Sequence, residues 1–112
     1  MIDLTYDRLS EFRSMTQWWV DSPQCLRYFR QRYSHMRPLK VQSLGDLGKR
    51  LEMALRRCFA SKASKVIVLG TDCPQISAPL IRRAQAHLNH HDAVIGPTRD
   101  GGYYLLGIRK AL

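Results

Sequence analysis

Between Lys65 and Gly70 the chain reads Lys-Val-Ile-Val-Leu-Gly, a β-branched apolar run without polar alternation. A strand with one wet face needs a polar residue at every second position, so this run suits a parallel strand buried on both faces. Its neighbours read as helices. Over residues 46–60, Leu47, Leu51, Ala54, Leu55, Cys58 and Phe59 recur at helical spacing, while Lys49, Glu52, Arg56 and Arg57 take other faces. Downstream, Ser77 caps a helix over 78–89 with Pro79 in its first turn and Leu80, Ile81, Ala84 and Leu88 facing a core.

The remaining segments extend this alternation. Residues 3–14 read as a helix, 15–20 as a strand carrying Trp18, Trp19 and Val20, and the stretch from Ser22-Pro23 to about Tyr33 as a helix. Short strands are expected at 39–42, 92–96 and 102–108. The order α-β-α-β-α-β-α-β-β indicates βαβ units, hence an α/β sandwich with a mostly parallel sheet and a right-handed crossover from strand 65–70 to strand 92–96. A length of 112 residues fits one domain with one modest core.

Composition excludes several classes. Hydrophobic residues at 45% and charged residues at 24% are globular values, not those of a disordered chain. No apolar run is long enough to span a bilayer, and Asp3, Asp7 and Glu11 interrupt any signal-like start, so the expected compartment is the cytoplasm. Cys25, Cys58 and Cys73 are odd in number and form no CxxC pair, the pattern of free thiols. The net charge of +9 fits either a nucleic-acid surface or a field that attracts phosphorylated ligands. The basic residues are scattered in short clusters that read as solvated helix faces, and no stacking-aromatic or recognition-helix motif supports nucleic acid. His87, His90 and His91 fall at a predicted helix end, where imidazoles favour the negative dipole.

In an open parallel sheet, ligands bind beyond the carboxyl ends of the strands. Two segments qualify: Gly70-Thr71-Asp72-Cys73-Pro74, and Gly96 through Arg99-Asp100-Gly101-Gly102-Tyr103-Tyr104. If their strands are parallel, Asp72 and Asp100 emerge on one edge, and two carboxylates brought together there call for a cation between them, Mg²⁺ or Mn²⁺. Gly101-Gly102 lets a ligand approach the backbone, and equally makes a tight turn. Asp72 reads equally as an Asx turn or a cap before Pro74. A third segment, Gln42 to Arg50, also follows a strand and opens a helix, with glycines and a helix N-terminus that could receive phosphate or sugar groups.

Taken together, Asp46-Leu47-Gly48-Lys49-Arg50-Leu51, the strand with Gly70-Thr71-Asp72-Cys73-Pro74, and the run from Gly96-Pro97 to Asp100-Gly101-Gly102-Tyr103-Tyr104-Leu105-Leu106-Gly107 resemble a bacterial glycosyltransferase-like family of unknown function. That family is related to the nucleotide-diphospho-sugar transferase fold and to the guanylyltransferases of molybdenum-cofactor and phospholactate metabolism. The resemblance implies a three-layer αβα, Rossmann-like fold that binds a nucleotide and a divalent metal. It implies Asp72 as the metal-binding aspartate, Asp100 as a second acidic residue near metal or sugar, and Gly48 and Arg50 as ligand contacts. Thr71, Arg99, Gly101, Gly102 and Tyr103 complete the substrate-binding candidates. Relatives begin with a strand and a Gly- and Lys/Arg-containing loop not seen before residue 15, and continue beyond the Asp-Gly-Gly-Tyr-Tyr strand. The chain is therefore expected to match the middle of the family domain.

The expected function is that of a metal-dependent transferase acting on a nucleotide-sugar substrate, with Mg²⁺ or Mn²⁺ on Asp72 and Asp100. The alternative is a non-catalytic α/β module that binds a partner or forms a homo-oligomer through its sheet edges.

Overall fold

Ser22 and Pro23 start the first helix in the manner their residue types require. The Ser22 hydroxyl accepts the Cys25 amide at 3.2 Å, and Pro23, which has no amide hydrogen to satisfy, occupies the first turn. The computed structural model describes residues 7–20, 22–33, 35, 38–70 and 75–110. They fall into two units, one formed by Phe12–Arg57 and the other by Met1–Glu11 with Cys58–Leu112.

The Phe12–Arg57 unit is a small βαβ arrangement. Strand β1 (Trp18–Val20) leads through helix α1 (Pro23–Arg32) to β2 (Leu39–Val41), and the strands pair in parallel, Trp18 opposite Leu39 and Val20 opposite Val41. Bonds from the Trp18 amide to Pro38 and from the Gln42 amide to Val20 extend the ladder at each end. Helix α2 (Leu47–Ala60) begins in this unit, and its apolar residues are half-buried except Ala60 at its end and Leu47, which is 66% exposed in the first turn. Two sequence expectations change here. Residues Ser10–Met15 form a 3-10 helix where an α-helix was expected to run to 14, so β1 starts only at Trp18. Phe12 is the buried residue of this 3-10 helix.

In the other unit, β3 (Lys65–Leu69), helix α3 (Ala78–His87), β4 (Ala93–Pro97) and β5 (Tyr103–Arg109) follow one another. Ser77 caps α3 by accepting the Leu80 amide, and Ile81, Ala84 and Leu88 are buried with Ile76 and Leu105. Leu88 and Ile76 are fully inaccessible, so this helix and its approach form the centre of the core. The N-terminal segment is tied to the same helix and its approach by an Arg82–Glu11 ion pair and by the Arg8 guanidinium, which donates to the Ile76 carbonyl at 3.2 Å.

The expected mostly parallel sheet is corrected in this unit. The strand order is β3-β5-β4, and β5 runs antiparallel to both neighbours. The cause is the length of the last connection: residues 98–102 join β4 to β5 as a hairpin, whereas a parallel return needs a crossover of a dozen or more residues. The apolar run 65–69 is thus an outer strand of the three, and the centre belongs to β5.

Because β3 and β4 are both antiparallel to β5, they run parallel to one another, linked through α3. Leu69 and Gly96 stand opposite the same residue, Leu105, so the carboxyl ends of β3 and β4 are level at one edge of the sheet. The architecture is a mixed α/β fold. Among the described residues, no helix is long and apolar enough to cross a membrane.

Candidate functional site

At the carboxyl end of β4 the chain turns through Thr98-Arg99-Asp100-Gly101-Gly102. The Thr98 amide donates to the Gly102 carbonyl at 2.9 Å, and the Gly101 amide donates to the Thr98 carbonyl at 3.3 Å. This is a three-residue hairpin loop whose third residue must be left-handed, and Gly101 supplies φ +92°. Asp100 braces the turn from inside its own loop. Its Oδ1 accepts the Thr98 hydroxyl and, at 3.2 Å, the Gly102 amide. Both bonds favour the ionised carboxylate. The Thr98 hydroxyl foremost, then the Gly102 amide, hold the Asp100 pKa below its ordinary 3.8.

The hairpin brings together five of the sequence candidates, Arg99, Asp100, Gly101, Gly102 and Tyr103, all exposed at the edge where β3 and β4 end. An exposed carboxylate that stays ionised at neutral pH is a hard oxygen donor of the kind Mg²⁺ and Mn²⁺ accept. Its donor chemistry therefore fits the expected cation. Thr71 and Asp72, with Cys73 and Pro74, lie outside the described residues. β3 ends one residue short of Gly70, whose amide donates to the Tyr104 carbonyl at 3.3 Å.

Two further candidates, Gly48 and Arg50, belong to the Phe12–Arg57 unit. Asp46 caps α2 by accepting the Lys49 amide at 2.9 Å. The Arg50 guanidinium folds back onto its own loop, donating to the Gly45 carbonyl at 2.9 Å and to the Gln42 side chain at 3.5 Å. In this geometry Arg50 fixes the loop that leads into the helix. Gly48 lies exposed in the first turn, and a Cβ there would meet only Asp46 Oδ1, at an ordinary 3.6 Å, so packing alone does not require glycine. In the same loop the Ser43 hydroxyl is buried without a hydrogen-bond partner among the described residues.

The histidines stay at the helix end, as their sequence position implied. His87 closes α3, the His91 amide bonds back to the His87 carbonyl at 2.9 Å, and the two rings lie 6.1 Å apart. Among the described residues no three His, Cys, Asp or Glu side chains gather to hold an ion.

Sequence reasoning passed over two residues that shape the hairpin. One is Thr98, whose signal was a hydroxyl two positions before an Asp-Gly step, the pattern of a side-chain-braced turn. The other is Tyr104. The register between β4 and β5 shifts there: Gly96 faces Leu105 but Pro97 faces Tyr103, leaving Tyr104 as the extra residue of a bulge.

A mixed α/β core with a level strand edge and a glycine-rich hairpin carrying an ionised aspartate is the class that these elements define. The chain belongs to the bacterial family described as "Uncharacterized protein conserved in bacteria" (DUF2064), whose model matches residues 10–112. No curated protein matches it. Among solved structures it is similar to a protein from Desulfovibrio desulfuricans G20 described as a "putative nucleotide-diphospho-sugar transferase", with 27% identity and a TM-score of 0.73. The match covers 94% of this chain and 48% of that one, so the chain spans about half the length of this neighbour.

Proposed function

We propose that the chain serves a transferase that takes a nucleotide-sugar substrate and a divalent cation, Mg²⁺ or Mn²⁺, with Asp72 and Asp100 as the metal-holding carboxylates. The observation that carries this reading is the level ending of β3 and β4 opposite Leu105, with Asp72 following β3 in the sequence as Asp100 follows β4. The similarity to a nucleotide-diphospho-sugar transferase supports the substrate class. A three-layer αβα arrangement with helices on both faces of the sheet belongs to the same proposal, as does a cytoplasmic location.

When bound, the cation would offset negative charge on the diphosphate leaving group. The chain's own residues have separate tasks. Asp100, braced by Thr98, presents an ionised carboxylate without needing to reorganise. Arg99, next to it and exposed, offers a positive charge to phosphate oxygens. Gly101 and Gly102 carry no side chain that would keep a sugar or phosphate from the backbone.

Calorimetric titration of UDP-, GDP- and CDP-linked sugars, with and without Mn²⁺, tests the proposal against the Asp72→Asn variant. Metal-dependent binding that weakens at least tenfold in the variant is expected, in line with losing a charge-assisted contact of roughly 1.5–3 kcal/mol. Equal binding by the variant and the wild type would remove Asp72 from the metal site.

A further inference from the structure

Tyr104 connects both loop-bearing strands. Its main chain serves β3: the Tyr104 carbonyl accepts the Gly70 amide at 3.3 Å, one residue before the segment 71–74. Its side chain serves β4: the half-buried ring lies against the backbone of Gly96, so closely that a Cβ there would stand 2.6 Å from the ring carbon Cζ and 2.9 Å from both Cε atoms. Only glycine at 96 leaves room for the ring.

The bulge explains why one residue can do both. Tyr104 is skipped in the pairing with β4, since Gly96 faces Leu105 and Pro97 faces Tyr103. Pro97 has no amide hydrogen to offer the ladder, which favours an irregularity at this step. With the ring lodged on Gly96, the bulge cannot slide along β5. Without it, Pro97 could move opposite Tyr104, turning the carbonyl that holds Gly70 and shifting the hairpin at 98–102 by one residue.

We infer that Tyr104 is a positioning residue that fixes the spacing between the carboxyl end of β3 at Gly70 and the hairpin carrying Asp100. This rests on the transferase reading for its functional meaning, while the coupling of the two loops is testable without it. The variants are Tyr104→Phe, which keeps the ring, Tyr104→Leu, which keeps bulk without its flat shape, and Gly96→Ala, which puts a methyl in the ring's place. In ligand-free protein, amide hydrogen exchange is followed at Gly70 and at Thr98. In parallel, Mn²⁺-dependent affinity for UDP, GDP and CDP is measured by calorimetry.

Exchange at both amides is expected to speed up together, at least tenfold, in Tyr104→Leu and in Gly96→Ala, and to be restored in Tyr104→Phe. Affinity measured with Mn²⁺ should fall at least tenfold in the same two variants and recover in Tyr104→Phe, with metal-free affinity little changed. Acceleration at Thr98 with Gly70 untouched, or the reverse, overturns the coupling. Coupled exchange with unaltered Mn²⁺-dependent affinity overturns the positioning role. If the wild type binds none of the nucleotides, the transferase reading fails with the functional part of this inference, while the exchange data still decide the coupling.

Discussion

Asp100 has two demands on one carboxylate. As a turn residue it accepts the Thr98 hydroxyl and the Gly102 amide through Oδ1, and as a ligand it would have to offer oxygen to a cation or sugar. These demands are compatible, because the bonds that brace the turn also stabilise the charged form. The folded-state pKa lies below the unfolded value of 3.8, so whatever the brace contributes is fully present above that value and is lost as pH falls through the folded pKa. Near neutral pH the turn is therefore intact and the group anionic. Thr98→Val removes the larger cause while keeping the shape of the side chain. An NMR titration of the Asp100 carboxyl should give a midpoint below 3.8 in the wild type and one moved up toward 3.8 in the variant. No movement would assign the lowering to the Gly102 amide and deprive Thr98 of its role.

At the level of elements, two of the three segments expected to meet a ligand are built by different devices. The hairpin is set by a left-handed glycine and a bulge; the loop before α2 is set by a cap and a folded-back arginine. Asp46 should therefore matter to stability whether or not the loop meets a ligand. Asp46→Ala is expected to cost about 1 kcal/mol, the usual loss for a helix cap, read as a lowered midpoint in chemical denaturation. A cost near zero would mean that the first turn of α2 holds without its cap. These elements also show how far the sequence could be read. The helices at 47–60 and 78–87 were legible because their apolar residues recur at helical spacing and Ser77-x-Pro79 marks a start. The strand at 65–69 was legible as a strand, but its apolar character does not reveal which strands flank it. Sheet order depends on where the chain returns, and the return is governed by the short link at 98–102, whose Gly101-Gly102 step had already been noted as turn-forming. The turn at Asp100 was legible from its Gly101-Gly102 step after a strand. The contribution of Tyr104 was not, because a ring resting on a glycine two strand residues before the hairpin leaves no mark in local spacing.

Across the whole molecule the dominant physical fact is charge, +9 over 112 residues. Such a field raises the local concentration of any phosphate-bearing ligand and does not by itself distinguish a nucleotide from a nucleic acid. Salt does distinguish them. A polyanion bound along a basic surface releases condensed counterions, so its log affinity falls with log salt by about 0.9 for each duplex phosphate neutralised. A nucleoside diphosphate carries too few charges for a steep slope, and its binding depends on hydrogen bonds and metal that salt screens only in part. If the basic residues mainly keep a solvated surface and a phosphate-attracting field, Mn²⁺-dependent nucleotide affinity should decline gently between about 50 and 200 mM salt, the range over which a protein making many phosphate contacts loses several orders of magnitude. Random-sequence duplex DNA should not displace the nucleotide at the upper end of that range. Fluorescence competition with a labelled nucleotide, repeated across the salt series, measures both quantities together. Displacement by DNA at the higher salt, with a slope of several units, would assign the arginines and lysines to a nucleic-acid surface and leave the hairpin at Asp100 as a turn.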